Sequence, residues 1–410
     1  MPRALVIGGS LGGLFAANML SRIGWDVRVF ERAESDLSGR GAGIGTHGEL
    51  FDAMRRIGVT VDASMSIEVS GRICLDAKGA IEYEIPIIQY MSAWPRIYEP
   101  MKAALPSASY RSGMNFVRLE QDAAGVTAIF ADGTRERGDI LVGADGMRSS
   151  VRAQVLPEVE ARYAGYIAWR GMVQERELAP ATHAVMARTY TFGLPEGELI
   201  LIYPVPGRND DIRAGHRALN FVWYRPTDPI HALPDLSTDA TGHCHGTSIP
   251  PPLIRPDVVA RVKADARAKL APQIAGLIEQ TTQPFFQAVF DLESPRIAIG
   301  RVVLLGDAAF VARPHVGVGI TKAALDAQCL ADSISTESDL GAALERYATE
   351  CQRFGARIVA RGRQLGAYLE AQLKPFAART DAERVQRPEQ VLNEHGSRHI
   401  GMQALSGPDP

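Results

Sequence analysis

Three places in this 410-residue chain set glycine beside a carboxylate in a way that suits a phosphorylated, hydroxyl-rich cofactor. The first is Gly8-Gly9-Ser10-Leu11-Gly12-Gly13, with Glu31 eighteen residues after Gly13 and Arg32 next to it. The second is Gly143-Ala144-Asp145-Gly146-Met147-Arg148-Ser149. The third is Gly306-Asp307-Ala308-Ala309-Phe310, with Pro314, His315 and Gly317-Val318-Gly319 after it. The first run has the spacing G-x-G-x-x-G with Ser10 in the middle place. There Gly8 makes the tight turn and Gly13 lets a helix pack closely on a strand. Ser10 can replace glycine if its φ stays negative. A pyrophosphate would sit on the amides at Ser10 and Leu11, where a helix start gathers positive charge. Glu31 is placed to accept hydrogen bonds from an unphosphorylated ribose, with Arg32 beside it. Taken alone, this loop fits NAD as well as FAD.

Asp145 and Asp307 decide between them. An aspartate at a strand end beside a glycine turn can accept hydrogen bonds from vicinal hydroxyls, here the ribityl chain of a flavin. A helix opened by Gly317 and Gly319 would aim its positive end at the ring and stabilise the anionic reduced form. Bound FAD is therefore expected. Four residues could act on a ring held against it: His315, His47, Tyr203 and Tyr224. His315 comes directly after Pro314 and titrates near neutrality in its ordinary range. It reads as readily as a packing group or a cap for the next helix. His47 reads equally as a helix cap, and the two tyrosines as strand core. His243-Cys244-His245 has no third ligand at a useful spacing, so no metal is expected. Cys74, Cys244, Cys329 and Cys351 stand far apart and form no CxxC pair.

The elements that must position these groups are legible in outline. Ala4–Ile7 is a short apolar run ending in glycine, Leu11–Arg22 reads as a helix, and Val27–Phe30 reads as a strand. That is the opening β-α-β of a dinucleotide-binding unit, about 30 residues long. The runs Ile140–Val142 and Val302–Leu305 also end on Gly-Asp motifs, as strands of one sheet would. Between Tyr163 and Phe290 the texture becomes β-branched and aromatic, with strands expected at 163–172, 188–192, 199–203 and 219–224. Residues 226–255 read as a surface excursion. Helices are expected after Gly319 and from Leu340 to Leu373, and Arg353, Arg357, Arg361 and Arg363 read as a solvated helix face. The fold class is α/β (α+β mixed): a Rossmann-like FAD-binding lobe with an inserted, mainly antiparallel β-sheet substrate lobe and C-terminal helices. The FAD-binding domain is drawn at 1–160 and 290–375, the substrate domain at 161–289 with help from 60–95. A polar tail at 376–410 is expected to order only by docking.

These motifs resemble the single-component flavin-dependent aromatic hydroxylases of the 4-hydroxybenzoate and salicylate hydroxylase type, over residues 3 to 370. The glycine loop with Glu31, the Asp145-Gly146 motif and the Gly306-Asp307 motif with Pro314 match in order and spacing. Gly41-Ala42-Gly43-Ile44 matches a segment near the flavin, and Arg96 stands where the family often has a cofactor-contacting arginine. The likeness runs furthest toward members acting on hydroxylated pyridines, in Tyr163-Ala164-Gly165-Tyr166, Trp169-Arg170-Gly171, Tyr203–Gly207, Arg313-Pro314-His315 and Lys322-Ala323. The chain departs from the family at Ser10, Phe310, Val318 and Thr321. The resemblance implies a monooxygenase that uses NADH or NADPH and O2, by way of a C4a-hydroperoxyflavin, to hydroxylate a small phenol or hydroxypyridine. Two other readings stay open: a flavin hydroxylase of a larger polyketide or quinone-type substrate, and a non-catalytic flavin-binding redox sensor.

Composition limits the partners. A net charge of −3 makes no electrostatic case for nucleic acid. There is no apolar run long enough to span a bilayer and no signal-peptide pattern, so a cytoplasmic location without integral membrane contact is expected. A homodimer is one assembly this reading allows.

Overall fold

The computed structural model describes residues 1–37 and 43–396; Gly41 and Ala42 of the flavin-proximal segment and residues 397–410 of the tail lie outside the described residues. The opening unit forms as its pattern predicts. Ala4, Leu5, Val6 and Ile7 are all buried in the strand Arg3–Ile7, as a strand covered on both faces requires. The helix Leu11–Arg22 returns the chain to Asp26–Phe30, which pairs parallel with the first strand. On the other side Arg3–Ile7 pairs parallel with Ile140–Gly143, and that strand pairs parallel with Val302–Leu304. Ile7, Gly143 and Leu304 stand in register, so the three glycine-acid turns emerge side by side at one sheet edge. The short strands Tyr110–Arg111 and Ala298–Ile299 close the six-stranded sheet at its two sides.

The second sheet has eight strands, in the order Phe310–Val311, Phe285–Glu293, Arg162–Gln174, Ala218–Pro226, Leu199–Val205, Tyr190–Gly193, Arg72–Leu75 and Ile81–Ile85. It is antiparallel except where Tyr190–Gly193 runs parallel to Arg72–Leu75. Successive side chains alternate between its faces. Trp169, Phe221, Trp223 and Phe286 pack outward against the helices Pro256–Lys269 and Pro272–Gln280. Tyr166, Ala168, Val222 and Tyr224 occupy the opposite, inner face. The strand Phe310–Val311 begins just beyond Asp307 and pairs with Phe285–Glu293, so the third turn is stitched to this sheet. A smaller sheet of Gly43–Thr46, Gln89–Ala93 and Ile67–Val69 stands beside the inner face.

In the C-terminal part the described tail is held by docking, as expected, while the arginine face differs from its expectation. The tail packs through 396 because Val391 and Leu392, on the helix Pro388–Glu394, bury themselves in the inner-face core. Arg72, 1% exposed, holds the carbonyls of Leu392, His395 and Gly396. The arginine run on the helix Leu340–Ala371 is not wholly a solvated face. Arg363 pairs with the fully buried Asp291, and Arg361 pairs with Glu394 of the tail. Among the described residues no helix is long and apolar enough to cross a membrane.

Candidate functional site

A cleft of about 480 Å³ runs along the sheet edge where the three turns emerge, and Gly8, Ser10, Leu11, Glu31, Arg32, Asp145, Asp307 and Gly319 line it. Gly8 has φ +105°, and a Cβ there would lie 2.4 Å from the Ala144 carbonyl oxygen. Gly13 does not line the cleft but stands beneath the loop, where a Cβ would meet the Gly8 carbonyl at 1.9 Å. Both glycines are required by backbone contact, which is how the loop keeps the cleft open. Ser10 has φ −80°, the negative value that lets serine occupy the middle place, and its side chain makes no cap bond. Glu31 accepts from the amides of Gly9 at 2.8 Å and Ala33 at 2.9 Å, so the carboxylate is held at the loop mouth.

The two later turns share a motif but not a condition. The Asp145 carboxylate accepts from the Ser149 hydroxyl at 2.5 Å and the Ser150 and Val151 amides at 2.7 and 3.2 Å, capping the helix Ser150–Val155. Burial pushes its carboxyl above the usual range, against the Ser149 hydrogen bond. Asp307 has no hydrogen-bond partner among the described residues. It is open to the cleft yet lies deep in the protein, and burial pushes its carboxyl up while nearby Lys322 opposes the shift. Beneath it Lys322 and Asp326 form an ion pair at 2.5 Å, each 2% exposed, and Asp326 accepts from the Gly306 amide. Arg152 links the two turns by donating to the Met147 and Ala308 carbonyls. A glycine-walled cleft with a carboxylate left free at its inner end fits a flavin dinucleotide.

At Asp307, Gly319 and Ile320 the cleft meets a second cavity of about 280 Å³. His47, Tyr203, Tyr224, Pro314, His315 and Gly317 line it, so all four ring-directed candidates converge there from separate segments. His47 Nδ1 lies 3.1 Å from the Thr321 hydroxyl on the glycine-opened helix Gly319–Thr336. Tyr203 donates to the Gly43 carbonyl at 3.0 Å. The Tyr224 hydroxyl makes no hydrogen bond among the described residues, and its ring packs 4.5 Å from that of His315. His315 Nε2 meets the Tyr166 hydroxyl at 2.8 Å, while its Nδ1 is buried without a partner. Burial, then His395 and Arg313, push the His315 pKa well below its ordinary value. The expectation that His315 titrates near neutrality is thereby corrected: the imidazole is neutral, and desolvation is the reason.

The remaining candidates fall outside the dinucleotide cleft. Arg96 does not line the cleft; its guanidinium is spent on Asp210 and the Ser64 carbonyl. Gly43, Pro314 and Gly317 line the ring cavity and not the dinucleotide cleft. His245 of the His-Cys-His run is bonded to Asp239 at 2.8 Å beside the Thr238–Cys244 bridge. Several residues went unassigned by sequence reasoning. Tyr166 and Tyr190 belong to the cavity surroundings. Buried Arg313 pairs with Asp291 at 2.8 Å and anchors the Pro314 turn. Gly396 of the tail donates to the His315 carbonyl and lines the cavity, and the His395 ring packs 5.3 Å from His315. Arg170 also lines the cavity. Tyr166, Arg170 and Arg313 lie in the stretches that carry the family likeness, and Arg170 is also a charge inside a mainly apolar and aromatic strand.

Comparison with known proteins agrees with this geometry. Residues 2–214 match the FAD binding domain family, and residues 163–291 match the FAD binding domain-like family. The chain is 34% identical over 348 residues to 2,6-dihydroxypyridine 3-monooxygenase of Paenarthrobacter nicotinovorans, covering 85% of this chain and 86% of that one. It is 28% identical over 345 residues to 6-hydroxynicotinate 3-monooxygenase of Bordetella bronchiseptica, covering 80% and 82%. The structure of 2,6-dihydroxypyridine-3-hydroxylase from Arthrobacter nicotinovorans superposes with a TM-score of 0.84 at 31% identity, over 94% of this chain and 97% of that one.

Proposed function

The chain belongs to the FAD binding domain family of flavin-dependent aromatic hydroxylases, and from that we propose that it is an NAD(P)H-dependent monooxygenase acting on a small hydroxylated aromatic or N-heteroaromatic ring. The observation that carries this reading is the junction at Asp307, Gly319 and Ile320, where the dinucleotide cleft opens into an aromatic cavity. When bound, FAD supplies the electron transfer from NAD(P)H and the oxygen chemistry.

The residues of the chain bind and exclude. Ser10, Leu11 and Glu31 hold the dinucleotide end, and Asp307 and Gly319 the flavin end. The inner sheet face, with Tyr203, Tyr224 and Val222, packs on the substrate ring and keeps water from it. Gly396 of the tail closes the cavity beside His315. His315, held at Nε2 by Tyr166 and partnerless at Nδ1, can accept a hydrogen bond from a ring hydroxyl, and a hydroxyl polarised in this way makes the ring a better nucleophile.

The test is NAD(P)H consumption by the FAD-loaded protein across a panel of rings starting from 2,6-dihydroxypyridine, with products identified by mass. The expected result is ring-stimulated consumption and a product heavier by one oxygen. Consumption that no ring stimulates, or that yields only peroxide, would sink the reading. Replacing His315 by Ala should lower hydroxylation with FAD still bound, and unchanged turnover would remove His315 from the chemistry.

A further inference from the structure

We infer that the ring cavity selects substrates bearing an anionic oxygen substituent, and that Arg170 is the group that pairs with it. This rests on the cavity being the ring-binding site. Arg170 lies in the strand Arg162–Gln174 opposite Val222, on the same face as Ala168, and lines the cavity with Tyr190, Tyr203 and Tyr224. Its Nε is sealed from solvent without an acceptor. Its guanidinium makes no hydrogen bond or ion pair among the described residues.

Arg170 is half-buried, and the three fully buried arginines among the described residues are engaged where it is not. Arg72 is spent on three tail carbonyls, Arg152 on the carbonyls of Met147 and Ala308, and Arg313 on Asp291. A guanidinium stays protonated at any ordinary pH, and one half-buried at a cavity wall with its Nε sealed gains by pairing with an anion inside the cavity. Asp307 is the one carboxylate lining the cavity among the described residues, and it stands at the junction with the cofactor cleft. The sheet end of the cavity therefore presents a cation and the open Tyr224 hydroxyl, with no acid to neutralise them. A planar anionic oxygen group on the substrate satisfies both, as acceptor for the guanidinium fork and for the tyrosine. A carboxylate and an ionised ring hydroxyl share that chemistry. The volume of about 280 Å³ suits a single ring with short substituents.

Binding to the oxidised, FAD-loaded protein is read from the perturbation of flavin absorbance, with no turnover required. Three pairs of rings serve as probes: 6-hydroxynicotinate and 6-hydroxynicotinamide, salicylate and salicylamide, and 2,6-dihydroxypyridine and 2,6-dimethoxypyridine. In at least one pair the anionic member should bind roughly tenfold tighter or more, the size of a charge-assisted hydrogen bond. The first two pairs report a carboxylate and the third a ring oxyanion. Arg170→Met should abolish that preference while flavin content and unfolding midpoint stay near those of the parent. Arg170→Lys, which keeps the charge but loses the fork, should reduce it several-fold, and it carries the test if the Met variant does not hold flavin. The inference is overturned if no pair shows the preference, including by failing to bind, or if both variants retain it in full. A ring that binds with the preference but is never oxygenated counts against the hydroxylase reading alone. A ring that is oxygenated without the preference counts against Arg170 alone.

Discussion

The turns at Gly143-Ala144-Asp145-Gly146 and Gly306-Asp307 look alike in sequence and emerge from neighbouring parallel strands, yet their aspartates do opposite things. Asp145 turns back onto its own helix and is consumed by three donors. Asp307 turns toward the cleft, finds no donor among the described residues, and is underlain by the buried Lys322–Asp326 pair. The difference comes from the chain immediately downstream of each motif. After Asp145 a helix begins five residues on, so its first amides reach the carboxylate. After Asp307 the chain makes a short turn and enters the strand Phe310–Val311, leaving no helix start within reach. A strand-end aspartate is thus structural or open to a ligand according to its downstream neighbour.

The support beneath Asp307 should give the largest effect. Lys322→Met leaves Asp326 charged and unpaired, which costs about 3–5 kcal/mol. Chemical unfolding should show that loss together with a lower flavin content, and Lys322→Met with Asp326→Leu should recover much of it. A single variant as stable as the parent would show that the turn does not need the pair. Next in size, Asp307→Ala should weaken FAD binding by about tenfold to a hundredfold, the worth of hydrogen bonds to a charged acceptor. Titration of the apoprotein with FAD checks this, and unchanged affinity would make the two turns equivalent after all. Asp145→Ala should instead cost about 1 kcal/mol of stability, as for a lost helix cap. Its FAD affinity should change less than that of the Asp307 variant, and a reversal of that order would invert the comparison.

The finest test is pH. Burial raises the Asp307 carboxyl above its ordinary range in the FAD-free protein, so its ionised form is a cost to the fold, kept small by the solvent that reaches its exposed side chain. That cost is present at neutral pH and disappears as pH falls through the raised pKa toward the ordinary value of about 4. FAD-free Asp307→Asn should therefore unfold at a higher temperature than the FAD-free parent at pH 7. The gap should close as the pH is lowered, and thermal unfolding at stepped pH would contradict this if the gap were constant.

Legibility in the sequence tracked the range of the interactions. The opening strand, the helix Leu11–Arg22 and the alignment of the three turns were readable because short periodic runs and glycine spacing encode them locally. Ser10 with its negative φ belongs to the same class, since a turn is decided within a few residues. The ring cavity is different in kind. His47 meets Thr321 across 274 residues, His315 meets Tyr166 across 149, and Arg72 meets the tail across more than 300. No periodicity spans such distances, so Arg96 was expected at the cofactor and is found against Asp210.

The sequence by itself determined that a dinucleotide-binding sheet edge would exist and that carboxylates would stand at two further strand ends, because backbone conformation and strand burial are set by near neighbours. Only the tertiary structure decided which of those carboxylates is left without a donor, that His315 is neutral, and that Arg170 is left without a counterion. Those properties depend on desolvation and on partners brought from remote segments, and they take their values only when the chain has closed around them.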